Sequence, residues 1–217
     1  SASVPEALRD FTNQVSIALH RVGLAGAGVN TKVFHKLGKE WTAQAATLCD
    51  KIVKYAHRKG MAAFKPTNDD HIRELIFKKL KLPVLEHTRK DHAAKVDKAN
   101  LVALLKDHKA PEIVQTLLDY NSIEKLASTW YGSKNEKPSK TKKKSVGELI
   151  TVIPGNKNIG LLHMWIMALR ARTGRATSGG SEEGAPEARN AQNWPKKART
   201  AICSRWPNGD IAIADLT

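Results

Sequence analysis

The chain has 217 residues, with 36 Lys and Arg against 21 Asp and Glu, a formal net charge of +15 and 41% hydrophobic residues. That apolar content supports one sizeable domain or two small ones and excludes wholesale disorder. The longest apolar run, residues 161–169, is broken by His163 and falls far short of the ~20 residues of a membrane helix, so no membrane partner is expected. The charge points instead to a polyanion, above all nucleic acid.

A first helix is predicted with Ser3 as its N-cap and Pro5 in its first turn. Leu8, Phe11, Val15, Ala18 and Val22 recur at spacings of three and four, with Leu19 beside them, and this stripe is expected to be core. The Gly- and Ala-rich residues 23–28 end that helix. Thr31 is expected to cap a second helix, which Phe34, Leu37, Trp41, Leu48, Ile52 and Tyr55 bury along one face and Gly60 closes. Cys49 lies in this pattern and reads as a core thiol. With Cys203 as the second cysteine no disulfide framework can form, which suits a reduced, cytoplasmic setting. No Cys-x-x-Cys or His-Glu-x-x-His spacing supports a zinc site.

Pro66-Thr67-Asn68-Asp69-Asp70 is a turn running into an acidic helix start, followed by Ile72, Leu75, Ile76 and Leu80 on one face and by Pro83 as a stop. A polar stretch over residues 86–95 carries Arg89, Lys90 and Lys95. Asp97 caps a short helix bearing Leu101, Leu104 and Leu105, and Pro111 opens another with Ile113, Val114, Leu117, Leu118, Leu126 and Trp130. Residues 133–145 hold Lys134, Lys137, Lys140, Lys142, Lys143 and Lys144 and no large apolar side chain. They read as a flexible basic loop, either a solvated insertion or a contact to phosphates. Residues 161–169 fit a buried strand or a short helix equally well. Trp206-Pro207-Asn208-Gly209-Asp210 is a turn, and Ile211-Ala212-Ile213-Ala214-Asp215 alternates as a buried strand delivering an acid to its C-terminal edge.

Several segments, in this order, resemble family A DNA polymerases, the DNA polymerase I group. Residues 64–84, ending in Leu82-Pro83-Val84, are similar to the stretch before the thumb tip. Leu118-Asp119-Tyr120 through Lys125-Leu126-Ala127-Ser128-Thr129-Trp130 is similar to the thumb helix Leu-Glu-Tyr-Arg-x-x-x-Lys-Leu-x-Ser-Thr-Tyr. Leu162-His163, Thr173-Gly174-Arg175, Ala191-Gln192-Asn193-Trp194-Pro195, Arg199 and Ile213-Ala214-Asp215-Leu216-Thr217 then follow the family's order up to its motif A. The resemblance covers nearly the whole chain.

It implies an α+β fold, a mainly helical thumb-like region followed by the first β-strands of a polymerase palm, incomplete without a second chain. Residues 1–60 would be helices at the base, 61–132 the thumb with its tip near 86–97, 133–160 a Lys-rich loop and linker, and 161–217 the first part of the palm. Asp215 would be the motif A aspartate holding two Mg²⁺ ions, with the backbone carbonyl of Leu216 as a further ligand. Phosphoryl transfer needs carboxylates on rigid strands to hold hard cations against the charge of the reacting oxygens. Lys125, Ser128 and Thr129 would grip the duplex backbone, and Arg175, Gln192, Asn193 and Arg199 would lie by the primer–template; Arg89, Lys90 and Lys95 fall at the thumb tip. Each of these has a plainer alternative, a solvated helix face or a hydrogen bond inside the fold.

Departures from the family are Ala191 for Leu, Trp194 for Ile, Leu216 for Tyr, Thr217 for Ser and a longer Lys-rich loop. The fingers and the second metal aspartate would follow motif A, and the chain begins at Ser1 rather than Met. The expectation is therefore the N-terminal piece of a template-directed DNA polymerase split at motif A. It would work on primer–template DNA and dNTP, active only with a complementary C-terminal chain, in the cytoplasm of a bacterial or phage-infected cell. The alternative is a basic helical module that holds nucleic acid without chemistry; a basic ribosome-associated protein is a third reading.

Overall fold

A computed structural model describes residues 6–89, 92–132, 145–163, 166–167, 177–178, 194–206 and 209. The chain divides into two compact units, Ser1–Lys39 with Ser128–Thr217, and Glu40–Ala127. The fold is α+β, mostly helical with small antiparallel sheets.

The unit Glu40–Ala127 is helical. Most of α2 (Thr31–Arg58) lies in it, followed by α3 (Asp69–Arg73), α4 (Lys98–Asp107) and α5 (Glu112–Lys125). Its core gathers Ile52, Ala56, Met61, Phe64, Ile72, Leu75, Ile76, Leu101, Leu104, Val114 and Leu117, positions whose spacing of three and four the sequence displays. Local chemistry fixes the helix ends. Gly60, at φ 81°, ends α2: its amide donates to the His57 carbonyl at 2.9 Å and that of Met61 to the Ala56 carbonyl at 3.1 Å, the paired bonds of a Schellman motif. The Asn68 side chain accepts from the Asp70 amide at the start of α3, and that of Asp97 from the Asn100 amide at the start of α4. Helix α3 continues into a π-helical turn, Glu74–Lys79, closed by the Leu80 amide donating to the Leu75 carbonyl at 2.9 Å. Pro83 follows, as the sequence predicts.

The other unit is built on a four-stranded sheet in the order β2-β3-β1-β6, antiparallel throughout, from β2 (Ile150–Ile153), β3 (Asn156–Leu162), β1 (Ala27–Asn30) and β6 (Ile202–Cys203). Strand β1 is central, and Val29 within it is fully buried. Gly28 faces the β6 backbone so closely that any Cβ there would strike the Cys203 carbonyl. A second sheet pairs β4 (Ile166–Met167) with β5 (Thr177–Ser178). Of the residues 161–169, 161 and 162 end β3, 163 lies outside any element and 166 and 167 form β4, so the described part of the apolar run carries strand and no helix.

Two expectations need correction. Asn30, not Thr31, caps α2: its side-chain oxygen accepts from the Val33 amide at 3.1 Å, while the Thr31 hydroxyl donates to the Lys157 carbonyl at 2.8 Å. The second concerns α1 (Glu6–Ala25), whose stripe is not core. Leu8, Phe11 and Val22 are 52%, 61% and 54% exposed, and Gly23 is the helix's buried residue. Periodicity shows that a face is apolar, not that the described chain covers it. Among the described residues no helix is long and apolar enough to cross a membrane.

Candidate nucleic-acid interface

Helix α5 ends at the exposed Lys125 and passes without a break into a second π-helical turn, Leu126–Tyr131, which carries Ser128 and Thr129 half-buried. Such turns recur at functional sites because the extra residue re-aims the side chains that follow. Here the two aromatic residues at the end of the turn hold it in place. Trp130 is buried against Trp194, edge to face, with ring centroids 5.5 Å apart. Tyr131 packs on Phe34 and on His35, whose Nδ1 lies 3.4 Å from the phenol oxygen, and its ring lies directly over Gly38. After Gly132, at φ 86°, the chain reaches the capping box of α6 (Val146–Leu149). There the Ser145 amide donates to the Glu148 carboxylate at 2.7 Å, and the Ser145 hydroxyl accepts from the Glu148 amide. Lys125 closes α5 in one unit, and Ser128 and Thr129 are the first residues of the other unit's second segment; a cation and hydroxyls are each suited to non-bridging phosphate oxygens.

Arg199 ends α7 (Lys196–Arg199) and is exposed; its Nε–H donates to the Trp194 carbonyl at 3.2 Å. The residue whose ring buttresses Trp130 therefore also orients the arginine. The indole at 194 is thus fixed by a ring partner in this fold.

Arg89 and Lys95 lie on a hairpin-like turn. The Thr88 amide donates to the Ala93 carbonyl at 2.8 Å and the Lys95 amide to the Glu86 carbonyl at 2.9 Å, with His87 and Ala94 bridged between them. Arg73 ties this turn to α3: its Nε–H donates to the Ala94 carbonyl at 2.9 Å while its guanidinium pairs with Asp70 at 2.6 Å. The Lys95 ammonium pairs with Glu86 at 2.7 Å, which raises the lysine pKa and lowers that of the carboxyl through the hydrogen bond first and the charge second. The sequence sets Glu86 and Lys95 at the two ends of one polar stretch, and the fold brings them together as an ion pair. Sequence reading missed Lys32, Lys36 and Lys39, exposed along α2 at spacings of four and three. The same periodicity used for apolar residues reveals them.

Asp215, Leu216, Arg175, Gln192, Asn193 and Lys90 lie outside the described residues. Among the described residues, no three His, Cys, Asp or Glu side chains gather to hold a metal ion.

The fold is similar to that of the POL domain of Pol1 from M. smegmatis, solved in complex with DNA primer-template and dNTP, with a TM-score of 0.57 at 18% identity. The match covers 88% of this chain and 28% of that one, so this chain spans a little over a quarter of its neighbour's length. No protein-family model and no curated protein matches the chain. The likeness establishes a polymerase-like fold.

Proposed function

We propose that the chain is the N-terminal part of a template-directed DNA polymerase of family A, which grips primer–template DNA and supplies the motif A aspartate to a site completed by a complementary C-terminal chain. The observation that carries this reading is the fold likeness along 88% of the chain to a domain solved with primer-template and dNTP, together with the ordered segments from Leu118 to Asp215.

In this reading the Lys125 ammonium and the Ser128 and Thr129 hydroxyls bind phosphates of the duplex without reading its sequence. Arg89 and Lys95 on the hairpin-like turn, and Lys90, add contacts, and Lys95 exchanges Glu86 for a phosphate at little cost because the ion pair is exposed. Arg199, held through Trp194, and Arg175, Gln192 and Asn193 present donors to phosphates and minor-groove acceptors beside the primer end. The Asp215 carboxylate and the Leu216 carbonyl would hold the two Mg²⁺ ions together with an acid from the second chain. When bound, these ions supply neutralisation of the charge that builds on the attacking and leaving oxygens.

Mixing this chain with its C-terminal complement and assaying primer extension with dNTP tests the proposal. Extension is expected from the mixture, and Asp215→Ala is expected to abolish it while leaving primer–template affinity nearly intact. No extension from any mixture, with Asp215→Ala silent and binding losses tracking the lysines alone, would favour the second reading, a non-catalytic basic helical nucleic-acid-binding module. The net charge of +15 supports that alternative by itself.

A further inference from the structure

We propose that the C-terminal half of α2, with Lys79 from the π-helical turn after α3, forms a second phosphate-backbone track for nucleic acid, separate from the α5 grip. This rests on the reading of the chain as DNA-binding and extends it to a surface that reading does not use. Lys51, Lys54 and Arg58 recur at spacings of three and four and are exposed, on the side of α2 away from the buried Ile52 and Ala56. Lys59 joins them: its ammonium and the Arg58 guanidinium each lie 5.7 Å from the centroid of the Tyr55 ring, which anchors both cations at the end of α2. The Lys79 ammonium reaches over Gly60, 3.9 Å from where a Cβ would stand.

Between residues 50 and 60 Asp50 is the sole acid against four Lys and Arg. Among the described residues none of these five cations forms an ion pair; the pairs present join Arg73 with Asp70 and Lys95 with Glu86. Gathering like charges around one helix end costs energy that a polyanion relieves. The helix dipole accounts for cations in the last turn, but not for Lys51 and Lys54 farther back. From Lys51 to Arg58 the helix rises about 10 Å, the axial span of about three phosphates along one DNA strand. An acidic protein is the poorer fit: protein interfaces centre on apolar and aromatic anchors, and the exposed large apolar residues of the described chain all lie outside α2 and this turn.

The test measures affinity of the full chain for a long mixed-sequence duplex as a function of NaCl. The variant carrying Lys54→Gln, Arg58→Gln and Lys59→Gln is expected to lower the log–log salt slope by about 2.7, or ~0.9 for each cation removed. The charge-keeping set Lys54→Arg, Arg58→Lys and Lys59→Arg is expected to retain the wild-type slope. Single Gln exchanges, each expected to lose ~0.9, serve should the triple variant not fold. An unchanged slope in folded Gln variants overturns the proposal, as does loss of poly-glutamate binding with DNA binding intact. Lys125→Gln in parallel separates the two surfaces. If it is silent while the α2 variants lose slope, the α5 grip fails and the track stands; the reverse pattern sinks the track and keeps the grip.

Discussion

Trp194→Ala probes the contact that holds the candidate interface together. Trp194 and Trp130 are 5% and 7% exposed and meet edge to face at 77°. Cutting the indole back to a methyl group removes on the order of 150 Å² of buried apolar contact, which at ~25 cal/mol per Å² is about 4 kcal/mol. Direct truncations of buried Trp fall in the same range, roughly 3–5 kcal/mol. For a chain of this size that lowers the melting temperature by roughly 6–20 °C. Urea unfolding followed by far-UV circular dichroism measures the loss without relying on the fluorescence of the residue removed. Trp206→Ala is the control. Trp206 is 66% exposed and its ring carries the Arg205 guanidinium 4.8 Å above it, so its loss is expected to stay at or below about 1 kcal/mol. In the cycle with Trp130→Ala, the double variant is expected to fall short of the summed single losses by about 0.5–1.5 kcal/mol. If Trp194→Ala loses no more than Trp206→Ala, or the two truncations add fully, the indole pair does not clamp the turn. Duplex affinity read in parallel should fall in Trp194→Ala and hold in Trp206→Ala, because losing the indole releases the backbone whose carbonyl accepts from Arg199.

Gly38→Ala drives a methyl into the Tyr131 ring and is expected to cost about 1–3 kcal/mol, with Tyr131→Ala in the same chain removing most of the added penalty. Asp97→Ala removes the cap of α4 and is expected to cost about 1 kcal/mol in denaturant unfolding at neutral pH. The Asn100 amide holds the Asp97 carboxyl below its ordinary 3.8. Its contribution is therefore complete above that value and is lost as pH falls through the lowered folded pKa. Wild-type stability should decline below about pH 4 more steeply than that of Asp97→Ala, and parallel acid limbs would count against this account. Burial pushes the Tyr120 phenol up to about 12 from 10, so its stabilising preference for the neutral form is full below pH 10 and vanishes as pH rises to about 12. An ultraviolet titration should show a late-ionising tyrosine that Tyr120→Phe removes, with a shallower alkaline loss of stability in that variant.

The helices, their caps and most of the buried face of Glu40–Ala127 follow from the sequence alone. Apolar period, Asn68, Asp97, Pro111 and Gly60 act within a few residues of themselves, and each does so in the fold as its chemistry dictates. At the candidate interface the sequence offers an expectation, since the resemblance to a thumb helix singles out Lys125, Ser128 and Thr129, residue types suited to phosphate oxygens. Their environment is not legible there. The π-helical turn arises where Trp130 and Tyr131 settle against Trp194, Phe34 and Gly38, partners 64 to 97 residues away in the chain. The pairing of Lys95 with Glu86 depends on a turn whose register no periodicity encodes. The α1 stripe makes the same point from the other side, since its apolar face is plain in the sequence and its exposure is decided by what the folded chain brings, or fails to bring, against it. Local propensity is set by neighbours along the chain. Burial and side-chain partners are set by contacts between distant segments, and only the tertiary structure decides those.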